Sequence, residues 1–230
     1  MAFRLFMKIK NLQLKFIDML VMKFKGAILQ NQESLANIKN NILNQNSPCV
    51  IVISALKGIM PRLRQLYALS LHQGRGFEEE FKELQNIHEQ LAYELLAGKK
   101  LEEYKVEMKV QLDELYSILH HVAVLKDSSQ YMKDYILAKG DILASLLFSK
   151  LFPEATWKDS RNFILTNGNF GAPEVLWKES CNAVKQEFGQ LKGVAVVPGY
   201  CGKTKEGYTI SLGRVGLSLT AAVLESAFNS

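Results

Sequence analysis

Two short stretches hold residue types suited to gripping an anion. Lys23-Phe24-Lys25-Gly26 closes an apolar run that reads as a strand and leads towards a helical segment. Main-chain N–H groups and lysine charge at such a corner can hold a phosphate. Gly213-Arg214-Val215-Gly216 opens the last, Ala-rich apolar stretch. An arginine there can take a carboxylate through two parallel hydrogen bonds. Each motif alone is a weak signal, because glycine-rich turns ahead of helices are common caps. Other reactive residues offer less. Cys49, Cys181 and Cys201 lie far apart with no CxxC spacing, which reads as reduced packing thiols in a cytoplasmic protein. His120 and His121 are adjacent on a predicted helix and point apart, so they do not read as a metal pair; His72 and His88 are isolated.

The elements that must position the two motifs alternate. Residues 20–24 and Cys49-Val-Ile-Val-Ile53 read as strands, the second a β-branched run suited to burial on both faces. Residues 32–43 and a segment from Pro61 to about Leu71 read as helices, Pro61 suiting a first turn. Phe77, Phe81, Leu84, His88, Leu91 and Leu95 step by three and four, and Tyr104 to Val122 repeat the pattern after Gly98, predicting a helical hairpin. Its apolar seam either faces the protein's own core or offers a partner a surface. A third helix is predicted over residues 131–151 with Gly140 inside, at a cost of ~1 kcal/mol relative to alanine, so something should approach the backbone there. Trp157 and 163–165 are short strand candidates, 173–188 contains a helix, 193–197 is a buried strand, 202–207 a polar turn, and 218–228 the final helix. This order predicts an α/β fold, a three-layer α/β/α sandwich with a mostly parallel central sheet and an inserted helical hairpin.

Composition narrows the class. Of the 230 residues, 48% are hydrophobic and 22% charged, which excludes a disordered tail or a disulfide scaffold. The net charge is +5, yet residues 76–127 carry 12 acidic and 6 basic side chains, so an acidic helical insert sits on a basic body fit for anionic small molecules. There is no arginine-rich arm and no basic-aromatic RNA pattern, so no nucleic acid partner is expected. No apolar run reaches the ~18–20 residues of a membrane span, and no membrane partner is expected. Residues 1–20 are basic and broken by lysines, unlike a signal peptide; they read as a surface-packed or loose extension or a misassigned start, rather than an amphipathic anchor.

The ordered set of segments is more specific than either motif. From Val21 to Ser230 the sequence resembles aspartate kinases of the amino-acid kinase superfamily. The strongest match runs from Val196-Val-Pro-Gly-Tyr200 through Glu206-Gly-Tyr-Thr-Ile-Ser-Leu-Gly-Arg214 into Ala221-Ala222. Val21-Met-Lys-Phe24 with Gly26, Ile53-Ser-Ala55 with Gly58, Asp134-Tyr-Ile-Leu with Gly140, and Asp159-Ser-Arg161 with Phe170-Gly171 support it. The resemblance implies a domain over residues 21–230 that moves the γ-phosphoryl group of ATP, with Mg²⁺, to the side-chain carboxylate of L-aspartate, in aspartate-family amino-acid biosynthesis. By position, Lys23 would contact phosphate as the catalytic lysine. Gly26, Ser54, Gly213 and Gly216 would line the nucleotide side. Ser54, Asp141, Thr209, Ser211 and Arg214 would line the substrate side.

The departures fall in those same parts. The family's Lys-Phe-Gly-Gly-Thr-Ser is Lys23-Phe24-Lys25-Gly26-Ala27-Ile28 here, and its Gly-Arg-Gly-Gly-Ser-Asp is Gly213-Arg214-Val215-Gly216-Leu217-Ser218. Met60 replaces a substrate-contacting threonine and Asp141 a glutamate. If Lys25 or Val215 had to adopt positive φ, strain would result. Losing one preorganised polar partner commonly costs ~3–4 kcal/mol of transition-state stabilisation. In the family, a strand and loop with a nucleotide-contacting Thr-Asp pair, and then ACT domains, would follow position 230. Three readings remain: a truncated or eroded kinase region with weak or no turnover alone, a working kinase completed by another chain, and a non-enzymatic regulatory module on the same fold. Oligomerisation, with like or unlike chains, is left open.

Overall fold

The structure is a computed structural model that describes residues 19–45, 47–72 and 76–229. Residues 1–18 of the basic extension lie outside the described residues. Strand β1 (Leu20–Phe24) passes through a 3-10 turn (Gly26–Gln30) to α1 (Gln32–Leu43). Then come β2 (Cys49–Ile53), α2 (Ile59–His72), α3 (Phe77–Leu95), α4 (Gly98–Leu125) and α5 (Gln130–Ser149). The rest is β3 (Thr156–Trp157), α6 (Trp177–Phe188), β4 (Val194–Pro198), β5 (Cys201–Lys203), β6 (Thr209–Ser211), a 3-10 turn (Gly213–Val215) and α7 (Gly216–Phe228).

Four strands form a parallel sheet in the order β1-β2-β4-β3. Every residue of β2 is buried, because β-branched side chains alternate between two apolar layers. Ile51 and Ile53 join the cluster built with α2, α4 and α5, while Val50 and Val52 join the one built with α6 and α7. This is the predicted α/β fold, with helices on both faces of a parallel sheet. Registers align Phe24, Ile53 and Pro198 at one edge. The corners after three strands therefore emerge side by side, where parallel α/β sheets commonly place ligands.

Helix α5 is buried almost all round. At Gly140 a Cβ would stand 3.0 Å from Ala55 Cβ and 3.1 Å from Leu63 Cδ1, so the bare glycine lets α5 pack closely on α2 and on the segment after β2. The α3–α4 pair turns its seam inwards: Tyr104, Met108, Leu112, Leu115, Leu119 and Val122 are buried at helical spacing in the same cluster as α5. Two local readings differ from the sequence expectation. Residues 163–165 form no strand; Phe163 and Ile164 are buried and Leu165 makes one isolated bridge to Lys203. The segment read as a polar turn lies inside an antiparallel pair, β5–β6. Its first strand is three residues long and contains Gly202, where a Cβ would meet Ile164 O at 2.5 Å, a pattern that strand periodicity does not reveal.

Candidate functional site

The two sequence motifs meet at the carboxyl edge of the sheet. Lys23 on β1 donates from Nζ to Ser218 Oγ at 3.1 Å, in the first turn of α7. Beside this contact lies a cavity of about 500 Å³, whose lining includes Lys25, Ser54, Asp141, Tyr200, Gly213 and Arg214. The corner after β1 supplies Lys25, the corner after β2 supplies Ser54, α5 supplies Asp141, and the turn into α7 supplies Arg214. Of the residues singled out from the sequence, Ser54, Asp141, Gly213 and Arg214 thus share one cavity.

The others lie around it or apart. Gly26 is buried behind the wall: its N–H donates to Ser54 Oγ at 3.3 Å, and a Cβ there would stand 2.3 Å from Ser54 O and 2.4 Å from Ala55 O. That space is filled by the protein's own backbone. Gly216 has a similar role, since a Cβ there would fall 2.8 Å from Gly199 O. Ser211 faces a neighbouring cavity of about 380 Å³, which shares Arg64, Tyr200 and Gly213 with the first. Its Oγ accepts from Gly213 N–H at 3.0 Å, and its own N–H donates to Asp134 at 2.9 Å. Thr209 is buried and accepts from Arg161 Nη1 at 3.2 Å, outside both cavities.

Backbone strain at the substituted positions does not occur. Lys25 is extended at φ −73° and Val215 sits at φ −92°. Only Gly213 in that turn has a positive φ, 68°, and it remains glycine. Neither Lys25 nor Val215 has to adopt the positive φ that would have strained it, and the chain takes ordinary conformations at both.

Asp141 is 2% exposed. It accepts from Ala55 N–H at 2.8 Å and Gly199 N–H at 3.2 Å, and also from the N–H of Tyr200. It therefore ties the ends of β2 and β4 together. Burial outweighs these bonds and pushes its carboxyl up to about 7. Burial also raises the Tyr200 phenol.

Lys57, Arg64 and Asp134 also border these cavities, although the sequence motifs assign none of them a role. Lys57 and Arg64 line the first cavity. Arg64 follows Met60 by four positions on α2, so both lie on one helix face; that spacing was the available signal. Asp134, buried on α5, anchors Ser211, and burial raises its pKa. Among the described residues no group of three or more His, Cys, Asp and Glu could hold a metal ion. His120 packs against Tyr116 and Phe77.

A parallel α/β sandwich with a cation-lined cavity at the strand ends defines the structural class. Within it, residues 18–229 match the amino acid kinase family, and the chain belongs to that family. It is similar to lysine-sensitive aspartokinase 3 of Escherichia coli, 26% identical over 223 residues, which cover 93% of this chain and 47% of that protein. Chloroplastic aspartokinase 2 of Arabidopsis thaliana is 26% identical over 220 residues, covering 90% of this chain and 39% of the relative. Two crystal structures share the fold. E. coli aspartokinase III with lysine and aspartate superposes with a TM-score of 0.80 at 24% identity, over 92% of this chain and 47% of that one. The same enzyme with aspartate and ADP gives 0.79 at 24% identity, over 93% and 47%. The chain thus spans about half the length of the aspartokinases it matches, and the likeness is to their N-terminal catalytic region.

Proposed function

We propose that this chain is an aspartokinase-type catalytic region that keeps its acidic-substrate pocket but has weak or no phosphoryl transfer on its own. One observation carries the reading: Ser54, Asp141 and Arg214, from three separate elements, line one cavity at the carboxyl edge of the sheet. Arg214 stands at the N-terminus of α7, where helix dipole and guanidinium both favour a carboxylate. Lys23 and Lys25, at the end of β1, are the groups that would face the phosphates of ATP. The Mg²⁺ implied by this chemistry would arrive on those phosphates, since among the described residues no carboxylate cluster is placed to hold it. When bound, Mg²⁺-ATP supplies the phosphoryl group and charge neutralisation; the chain's own residues orient the acceptor carboxylate.

Weak turnover follows from side chains already engaged. Asp141 is committed to main-chain N–H groups and Lys23 to Ser218. At position 60, where the family resemblance implies a substrate-contacting threonine, the chain carries the thioether of Met60. Phosphoryl transfer depends on positioning and electrostatic stabilisation, so such losses fall on rate more than on binding.

The test is to incubate the protein with Mg²⁺-ATP and L-aspartate and trap acyl phosphate with hydroxylamine, alongside a thermal-shift series. The expected result is no hydroxamate above the blank, with a Tm rise of several degrees at millimolar acidic ligand. Ligand at ~100 times Kd adds about 2.7 kcal/mol. Robust hydroxamate formation that disappears in Lys23→Ala would overturn the weak-turnover reading, and a flat Tm for every acidic ligand would overturn the pocket.

A further inference from the structure

The cavity's charge does not match that of an amino acid. Lys25, Lys57, Arg64 and Arg214 line it, with Asp141 as the sole carboxylate. Among the described residues, none of these four cations takes part in an ion pair. Asp141 cannot serve as a free counter-charge. It is 2% exposed, and N–H groups of Ala55, Gly199 and Tyr200 occupy most of its acceptor positions.

L-aspartate would bring two carboxylates and one ammonium group to this lining. Its carboxylates would find cations. Its ammonium would leave water for a site rich in like charge, without a carboxylate to receive it, and an unpaired desolvated charge is costly. A hydroxyl such as Ser54 Oγ or a main-chain carbonyl can accept a hydrogen bond from an ammonium but supplies no full negative charge. A dicarboxylate without the ammonium meets the same cations with no such penalty. Met60 and Leu217 give its methylenes an apolar wall.

We propose that this cavity takes a C4 dicarboxylate lacking an ammonium group in preference to aspartate. The proposal rests on the reading of this cavity as the acidic-substrate pocket and sharpens its ligand class. L-malate is the informative probe, because it keeps the aspartate skeleton and replaces the ammonium with a hydroxyl.

Isothermal titration of the full chain at pH 7.5 and low salt, with L-malate, succinate, L-aspartate and inorganic phosphate, tests it. L-malate and succinate should bind at least tenfold more tightly than L-aspartate. Arg64→Gln, an exposed position on α2, should weaken L-malate several-fold while leaving the thermal midpoint unchanged. Leu217→Asp, which sets a carboxylate on the lining in the first turn of α7, should shift the preference towards L-aspartate. L-aspartate binding as tightly as L-malate would overturn this proposal while leaving the pocket reading intact. Binding of none of the four would overturn both. Phosphate that displaces L-malate with equal affinity would overturn the dicarboxylate assignment.

Discussion

Asp141 sits where the ends of two parallel strands would otherwise leave main-chain donors unpaired in the interior. Burial raises its carboxyl to about 7, against ~3.9 in an unfolded chain. The folded protein therefore holds the proton more tightly than the unfolded chain does. Stability tied to protonated Asp141 is fully present below about pH 4 and is lost as pH rises through 7. Asp141→Asn keeps one acceptor and cannot ionise. Relative to that variant, the wild type should lose up to about 4 kcal/mol of unfolding free energy between pH 4 and pH 8. Urea unfolding of both proteins at the two pH values checks this, and a pH-independent difference would show that the carboxyl stays ionised inside the fold. Arg214 was legible from its glycine-flanked turn, and Ser54 and Asp141 through the family resemblance, Ser54 just after β2 and Asp141 beside Gly140 within α5. Lys57 and Arg64 were not, since a cation on a helix face or in a turn looks like ordinary solvated charge until the fold aims it at a cavity.

At the scale of elements, α4 and α5 are joined by a buried cation. Lys139 is 1% exposed and donates to Gln111 Oε1 at 2.8 Å and to Glu114, which also accepts from Tyr135. Its ammonium lies 5.0 Å from the Tyr135 ring centre. Burial lowers the Lys139 pKa against the pull of Glu114. Burial opposes ionisation of Glu114, but the bonds from Lys139 and Tyr135 hold its carboxyl below the ordinary range. The pair is asymmetric, because the Glu114 side chain is 42% exposed and can rehydrate. Lys139→Met should therefore cost under about 1.5 kcal/mol, a change of charge with volume kept. Glu114→Ala, which strands a buried ammonium, should cost about 3–5 kcal/mol. Urea denaturation of the two single variants and the double variant measures it; equal costs for the singles would contradict the asymmetry. The α3–α4 hairpin was legible because one face of each helix carries the 3.6-residue apolar pattern. Lys139 was not, because α5 is buried on nearly every side and its sequence shows no polar face against which a buried lysine would stand out. The β5–β6 pair escaped for a different reason: three-residue strands are too short to show a period of two.

On the scale of the whole molecule, the sheet separates two apolar layers of unequal size. The layer of α2, α4 and α5 holds most of the buried side chains, whereas the layer of α6 and α7 gathers a smaller set around Phe163, Val184, Phe188 and Leu224. Local opening follows buried apolar contact, so the smaller layer should open at lower free energy than the larger one. That layer also carries part of the cavity's wall, because Gly213 and Arg214 precede α7 directly. Native-state hydrogen exchange should then show amides of α6 and α7 exchanging about tenfold to hundredfold faster than those of β2 and α5, a gap of roughly 1.4–2.8 kcal/mol in opening free energy. A dicarboxylate held by Arg214 binds only when the turn into α7 is in place, so it should slow exchange in α7 and leave β2 nearly unchanged. Uniform exchange across both layers without ligand would mean that the sandwich opens as one unit, and the pocket's occupancy would then register on every element equally.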